Sequence, residues 1–313
     1  MFEPPDQDIP QDETAIEPEP APEISGSEIK DATAIFLLRL ETAVFGAWIR
    51  SPEGQRSRTA KLQFTLLEVF KGHLIQKPGE AFDLAVLQHG DAGFEDPGLW
   101  SHVKMAPGTE LIAFTNGPSN DARLLLSDRY CIRLPEASGV LDDTRAAMLI
   151  ENENLPPVKV LTLAATSANR FGDLFARYVW SRIKNFVLDS DQVLDSYLRL
   201  VENPHTRSDA RDAYLMGLDE DLGLRSRPRR ESEIMLAQSM FRLLLLPEAQ
   251  PLYPVISGVL LPNLLRADAK APKYTPAEIL GPAKLDRAAL LRVVSGLTSE
   301  EERAKKLVAW LAK

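Results

Sequence analysis

One stretch of the chain gathers the side-chain types that metal chemistry uses. Imidazole nitrogens and carboxylate oxygens bind zinc and other divalent cations. Residues 88–102, "QHGDAGFEDPGLWSH", contain two imidazoles, three carboxylates and an indole: His89, Asp91, Glu95, Asp96, Trp100 and His102. A metal-binding protein or metal-dependent hydrolase that uses these ligands is one interpretation. A solvated loop is the other, since surface loops are rich in Gly, Pro and acidic residues and a histidine spacing of 13 matches no recurrent zinc site.

A second stretch concentrates guanidinium groups. "RSRPRR", residues 225–230, contains four arginines: Arg225, Arg227, Arg229 and Arg230. Guanidinium groups bind phosphate or the carboxylates of a partner. Acidic residues lie on both sides, at 219–221 and at Glu231 and Glu233, so local neutralisation in a solvated linker explains the same pattern. Together with Trp100, these arginines are the candidate binding residues.

Signatures of common enzyme classes are absent from the sequence. It contains no G-x-x-x-x-G-K-[ST], G-x-G-x-x-G, G-x-S-x-G or H-E-x-x-H motif. No cofactor is therefore implied. The single cysteine, Cys131, excludes an intramolecular disulfide and a cysteine-based zinc site, and its place near a strand end is typical of a small buried apolar residue.

The net charge of −9 is concentrated at the N-terminal end of the chain. Residues 1–30 carry nine acids and one base, residues 31–140 carry 13 acids and 11 bases, and residues 141–313 carry 23 acids and 24 bases. Both later parts are close to neutral. Binding to DNA or RNA through phosphate charge needs a basic surface, so a nucleic-acid partner is not expected.

The composition predicts an acidic leader followed by two folded domains. Residues 1–29 contain six prolines and few large apolar side chains, so we expect a disordered leader. No export signal is visible in the chain as given. The most apolar region, residues 241–265, is interrupted by four prolines and two charges, which favours a buried, broken helix pair over a transmembrane span.

Residues 30–138 have the pattern of strands. In "LQFTLLEVFKG", residues 62–72, polar and apolar side chains first alternate and then four of the five residues 66–70 are apolar. A β-bulge that exchanges the buried face would explain this change. We predict a five-stranded closed barrel or sandwich built from residues 33–49, 59–70, 81–88, 109–115 and 123–134.

The same residues resemble a known family. "AVFGAWI", "FTLLEVFKG", "PGTELIAFT" and a last strand with Cys131 are similar to the netrin-like domain, the OB-type barrel of tissue inhibitors of metalloproteinases, over about residues 33–134. The resemblance implies the barrel and a periplasmic or secreted location, with a leader missing from this chain. It does not imply inhibition of metalloproteinases, because the family's N-terminal cysteine and its disulfide cysteines are absent here.

Residues 139–313 have the spacing of helices. Apolar side chains three and four residues apart predict an amphipathic helix within residues 168–188, and Asp189 or Ser190 is the expected N-cap of the next one, which ends at Pro204. Helix breaks at Pro204, Pro247 and Gly296 are 43 and 49 residues apart, near the period of HEAT-like helix pairs. An irregular helical bundle is the alternative. Further helices are predicted at 142–154, 207–218, 231–246, 251–265, 284–297 and 298–313.

The sequence as a whole predicts an α+β multidomain protein: a leader, an OB-like barrel and an all-helical domain. The absence of a catalytic constellation favours a non-enzymatic binding or interaction protein with a protein partner. The alternative is the metal-dependent function of the 89–102 loop.

The metal interpretation predicts about one zinc per chain, measured by elemental analysis of the purified protein. The His89→Ala, His102→Ala double variant loses the metal, because each substitution removes an imidazole ligand. The matched control, His73→Ala with His205→Ala, keeps it. Protein that binds no metal, or metal that survives in the first variant, contradicts the interpretation.

Overall fold

The chain folds as an antiparallel sheet followed by a mostly helical region, so the predicted α+β class is confirmed. The computed structural model describes residues 26–47, 49–50, 52, 56–89, 106–127, 131–135, 139–224, 229–266, 272–297 and 302–313. A short helix, α1 (Gly26–Asp31), precedes the sheet. The strands are β1 (Ala34–Phe45), β2 (Ile49–Arg50), β3 (Arg56–Lys71), β4 (Ala81–His89), β5 (Glu110–Thr115) and β6 (Ile132–Pro135).

The sheet is open, and the predicted closed five-stranded barrel is wrong. Ser57 pairs with both Ile49 and His89, so β2 and β4 lie on opposite edges of β3. The order across the sheet is β4, β3, β1 with β2 in line, β5 and β6, and every pairing is antiparallel. Closure requires the two outer strands to pair. Among the described residues, β4 pairs only with β3 and β6 only with β5.

A helix takes the place of half of the last predicted strand. Residues 123–134 were predicted as one strand, but α2 (Ala122–Ser127) precedes β6. Its buried side chains follow helical spacing and belong to one apolar cluster on the sheet: Ala122, Leu125 and Leu126. The carboxylate of Asp121 accepts a hydrogen bond from the Arg123 backbone N–H at 2.9 Å, which supports the first turn. Because α2 packs against β4 and β5, it covers the apolar face that closure would have enclosed.

The apolar run at residues 66–70 arises from bulges in β3, which confirms that prediction. Ile35 pairs with Lys71 but Phe36 pairs with Val69, and Leu37 pairs with Glu68 but Leu38 pairs with Leu66. Phe70 and Leu67 are therefore extra residues in β3. These two side chains pack against the helical side of the sheet, whereas Leu66 and Val69 pack against the opposite side.

The Lys71-Gly72 pair fixes the end of β3 against α1. Gly72 has φ +84°, and a Cβ at this position would lie 2.5 Å from the Thr33 carbonyl oxygen. Only glycine fits this close approach. The Lys71 ammonium donates to the carbonyl oxygens of Lys30, at 2.6 Å, and Ile29, at 3.2 Å. Because Ile29 is buried in the core, α1 is an ordered element although it begins within the predicted leader.

The helical region contains the predicted helices and two that were not predicted. Its elements are α3 (Val140–Glu153), α4 (Pro157–Thr166), α5 (Asp173–Ile183), α6 (Asp191–Glu202), α7 (Ser208–Leu224), α8 (Arg230–Leu243), a 3₁₀ segment (Pro247–Leu252), α9 (Tyr253–Val255), a π-helical turn (Ile256–Leu260), α10 (Leu261–Leu265), α11 (Pro276–Ala283), α12 (Arg287–Gly296) and α13 (Glu302–Leu311).

Proline explains the two helices that sequence reasoning missed. Pro157 was interpreted as a stop signal, but it occupies the first turn of α4, where proline has no hydrogen bond to lose. Pro276 does the same in α11, which Thr275 and Glu278 begin with a capping box. The predicted cap at Ser190 is confirmed, since its hydroxyl accepts from the Val193 N–H at 3.4 Å.

Alternate helices stack on one another. Helix α5 packs against α3 and α7, and α6 packs against α4 and α8. Gly217 allows α5 and α7 to approach closely, since a Cβ at this position would lie 2.5 Å from the Trp180 ring. The result is two adjoining rows of helices, α3–α5–α7 and α4–α6–α8.

One hydrophobic core joins the sheet to the helices. Ile35 and Leu37 of β1 and Ile112 and Phe114 of β5 belong to the same apolar cluster as the buried faces of α3 to α13. The opposite face of the sheet packs into a second, smaller cluster, in which the predicted burial of Cys131 is confirmed. Buried residues of β1 and β5 and of the helices after residue 139 therefore contribute to one apolar cluster.

A buried guanidinium stabilises the break in the chain between α6 and α7. Arg211 in α7 is fully buried, and its donors reach three backbone carbonyls. Nε donates to Val201 at 3.0 Å, Nη2 to Asn203 at 2.9 Å and Nη1 to Glu248 at 3.0 Å. These bonds satisfy carbonyls at the end of α6 and in the 3₁₀ segment, groups that a helix end otherwise leaves without partners. Burial lowers the pKa of Arg211 from its ordinary value.

None of the described helices alone has the length and apolar composition of a membrane span. Helix α8 and the segment from Pro247 to Leu265 meet that test only as a pair, and they are bent by 112° where they join.

A buried carboxylate links the first two helices of one row. Asp143 of α3 accepts hydrogen bonds from the backbone N–H groups of Gly172, at 3.0 Å, and Phe175, at 3.1 Å, at the start of α5. Burial is the main cause that raises the pKa of Asp143 to about 6, and nearby Asp173 adds to it. The two N–H bonds and Arg207 oppose this shift.

The raised pKa makes the contribution of Asp143 depend on pH. Its folded pKa lies above the ordinary value, so its favourable contribution is complete below pH 4 and is lost as pH rises through 6. We expect wild type to lose about 2–3 kcal/mol relative to Asp143→Asn between pH 4 and pH 7, measured by urea unfolding. A difference that does not change with pH contradicts the assignment. Asp143→Ala also leaves two N–H groups without acceptors and costs about 1–3 kcal/mol.

Candidate binding surface

The helices that cover the sheet do not reach the far ends of its two longest strands, β1 and β3. Strand β1 is buried from Ala34 to Leu38 and increasingly exposed after Leu40. At its far end Val44 is 62% exposed and Phe45 46%, and Ile49 of β2 is 68% exposed. Large apolar side chains at such exposure, at one end of a sheet, make that end a candidate interaction site. We call the described residues at the far ends of β1 and β3, together with β2, the hairpin end: residues 42–47, 49–50 and 56–62.

Strand register places these apolar side chains on both faces of the hairpin end. Val44 pairs with Lys61 and Ile49 with Ser57, and residues 57 and 61 of β3 share a face. Phe45 pairs with Ala60 and therefore lies on the opposite face. Nearer the molecule's centre, these two faces continue into the two apolar clusters, so the hairpin end is their uncovered extension.

The hairpin end is also basic. Arg58 holds its guanidinium 4.2 Å from the centre of the Phe45 ring, an arrangement that stabilises the cation on the aromatic face. Arg50, Arg56 and Lys61 bring the total within residues 42–62 to four basic residues, against one acid, Glu53. The combination of a cationic and an apolar surface favours a ligand that carries both acidic and apolar side chains.

Glu41 marks the inner limit of this basic surface. Its carboxylate accepts from the Arg39 guanidinium at 3.0 Å. A hydrogen bond from Thr65 and the contact with Arg39 hold the pKa of Glu41 below its ordinary value, so it stays ionised. The hairpin end is thus separated by an ion pair from the covered part of the sheet.

Strand β4 provides an edge beside the same surface. It pairs with β3 through residues 81–89, and its other edge has no strand partner among the described residues. An unpaired edge presents backbone N–H and carbonyl groups that an extended peptide can bind by adding a strand.

Most of the predicted metal ligands fall outside the described residues. His89 ends β4 and pairs with Ser57 at the hairpin end. The other members of the loop are outside the described residues: Asp91, Glu95, Asp96, Trp100 and His102. Within the part of the chain that is described, no three His, Cys, Asp or Glu side chains are placed to hold a metal ion. The metal interpretation stays a prediction.

Two arginines of the cluster at residues 225–230 are described, and both bond to other residues of the chain. Arg229 donates to Asp191 at 2.8 Å and to the Asp189 carbonyl at 3.1 Å, and Arg230 donates to Glu278 at 2.9 Å. These ion pairs tie the start of α8 to α6 and α11. Arg225 and Arg227 lie outside the described residues.

A buried acid next to this cluster was not predicted. Glu233 of α8 accepts hydrogen bonds from the Lys273 ammonium and the Tyr274 hydroxyl. Burial, followed by the bond to Glu233, raises the pKa of Tyr274 well above its ordinary range, so the hydroxyl keeps its proton. Trp310 donates to the Tyr274 carbonyl at 2.8 Å and stacks on Phe241. These hydrogen bonds join α8, α13 and the residues just before α11, so we assign these side chains a structural role.

Comparison with known proteins gives no relative. No family model, no curated protein and no solved structure matches the chain.

Sequence reasoning missed the hairpin end because residue types alone do not report coverage. "AVFGAWI" was interpreted as part of a barrel strand, and its apolar side chains would look the same whether buried or exposed. The available signal was the set of four basic residues at 50, 56, 58 and 61, which a fully buried strand pair would not carry.

Exposure predicts that the apolar side chains of the hairpin end are dispensable for folding. Val44→Ser and Ile49→Ser change the free energy of unfolding by about 0.5 kcal/mol or less, since both side chains already face solvent. The matched control in the same strand, Leu38→Ala, costs about 2–5 kcal/mol because Leu38 is fully buried. Urea unfolding measures all three, and a large loss for Val44→Ser would show that the hairpin end is covered.

Proposed function

We propose that this protein is a non-enzymatic interaction protein that binds a partner protein through the hairpin end. The observation that carries the proposal is the exposure of Val44, Phe45 and Ile49 beside basic residues, on strands whose other ends are anchored in the core. Exposed apolar side chains in such a cluster lower the free energy when a partner covers them.

Charge favours an acidic partner segment. Arg50 and Arg58 share a face with Phe45, and Lys61 shares the other face with Val44 and Ile49, so each face carries positive charge that steers acidic groups toward it. An extended segment has a further way to bind, because the edge of β4 offers backbone groups in the strand geometry.

The helical region acts as the rigid support of this surface. We propose a HEAT-like stack for α3 to α8, supported by the alternate packing of the two helix rows. Arg211 and Asp143 each bond across neighbouring helices, which favours a fixed arrangement. The netrin-like resemblance of residues 33–134 is likewise a proposal, supported by the sequence motifs alone.

Site-specific cross-linking tests the binding proposal. A photoreactive phenylalanine analogue replaces Val44 and, as the matched control, Met216, which is 47% exposed on α7. We expect adducts of higher mass from illuminated cells at position 44 and not at 216. Arg50→Glu together with Lys61→Glu in the same chain abolishes the adducts, because it reverses the local charge.

Three results would contradict the proposal. They are the absence of adducts at position 44, equal adducts at 216, and adducts that survive charge reversal. Unfolding measurements on each variant confirm that the loss of adducts reflects the surface and not the fold.

A further inference from the structure

The hairpin end has a complementary segment within the same chain. Residues 1–25 carry eight acids and neither lysine nor arginine, whereas residues 42–62 carry four bases and one acid, Glu53. We propose that residues 1–25 bind the hairpin end of their own chain and occupy it when no partner is present. The inference rests on the proposed function, since it adds a regulator of the same surface.

The apolar residues of the acidic segment suit the exposed side chains of the hairpin end. Phe2, Ile9, Ile16 and Ile24 are separated by seven, seven and eight residues, with acids between them. The first half of the segment can place Phe2 or Ile9 on the exposed Phe45 ring while neighbouring carboxylates face Arg50 and Arg58 on the same face. The six prolines do not prevent binding to a surface, because an extended proline-rich chain is already preorganised for it.

The tether has sufficient length. Residue 25 directly precedes α1, which is fixed to the end of β3 by Lys71. From there the hairpin end lies about 40 Å away along the 12 residues of β1. The 25 residues of the segment span up to about 80 Å when extended, so about half of them bridge this distance and the first half can lie on the hairpin end.

Tethering makes a weak contact sufficient. A segment joined to its site by a short linker has an effective concentration on the order of millimolar. A contact with a millimolar dissociation constant is therefore about half occupied within the chain, while a partner of micromolar affinity displaces it.

Charge also discriminates among other occupants. A second copy that paired its hairpin end with the first would bring four bases against four bases, which is repulsive. An anionic lipid surface shares the required negative charge, but it is not held beside the site by a covalent link. The test below separates these three occupants.

Paramagnetic labelling of the full-length protein tests the inference. A spin label on Thr14→Cys reports on the acidic segment, since the native Cys131 is buried. We expect the amide signals of Val44, Ile49 and Lys61 to lose intensity about threefold at low salt and to recover at about 1 M salt, where charge is screened. The amides of Leu149 and Met216, which are exposed on the helical region, are the internal reference.

A charge-neutral variant provides the decisive comparison. Changing Arg50, Arg56, Arg58 and Lys61 to Gln is expected to abolish the broadening. The matched control changes four exposed bases of the helical region to Gln and leaves the broadening intact: Arg199, Arg242, Arg266 and Lys284. Unchanged amide positions in the helical region show that both variants are folded.

Each other outcome overturns the inference. Broadening in an equimolar mixture of labelled and isotope-enriched chains, of the same size as in the singly labelled protein, assigns the surface to a second copy. Absence of broadening together with sedimentation on phosphatidylglycerol vesicles, lost in the charge-neutral variant, assigns it to a membrane. Absence of both leaves the acidic segment unbound.

The outcome is separable from that of the cross-linking experiment. An intramolecular adduct leaves the mass of the chain unchanged, whereas a partner raises it. Higher-mass adducts at position 44 without broadening refute only the regulatory segment. Broadening without such adducts refutes only the partner.

Discussion

Burial of β1 on both faces is the constraint on which the rest of the structure depends. Ile35 and Leu37 face the helices, and Phe36, Leu38 and Leu40 face the smaller cluster under α2. A strand in this position cannot alternate between apolar and polar residues, so its neighbour β3 must also supply apolar side chains to both sides. The bulges at Leu67 and Phe70 achieve this locally, because each adds a residue that turns toward the helices.

The same constraint determines where the sheet becomes available to other molecules. Helices cover one face only along the first half of β1, and α2 has six residues, so neither covering reaches the hairpin end. Beyond both coverings, β1, β2 and β3 carry exposed apolar side chains and four bases. Solvation of the charges keeps this extension in water, while Val44 and Ile49 remain available for contact.

Local patterns in the sequence predicted much of the fold, and non-local contacts account for what was missed. The alternation in β4 and the spacing in α6 are properties of single elements, and they sufficed. The leucines at 124–126 fit a strand or a helix equally well, and the contact of α2 with β4 and β5 decides between them. Closure of the barrel likewise depends on whether strands distant in the sequence pair. Exposure of the hairpin end depends on where the covering helices end. A local pattern of residue types predicts neither.

Charged groups of the helical region and of the hairpin end have different surroundings. Inside the helical region, Asp143 accepts hydrogen bonds from backbone groups of a neighbouring helix, and Arg211 donates hydrogen bonds to backbone carbonyls. Glu233 accepts hydrogen bonds from Lys273 and Tyr274. Such groups fix the relative positions of helices, since leaving any partner unsatisfied in the core is costly. At the hairpin end, by contrast, the side chains of Arg50 and Lys61 are exposed to water, and exposed charges contribute little to stability. A rigid core with internally satisfied charges, and a long strand pair with exposed ones, is therefore an arrangement in which binding does not require the fold to be disturbed.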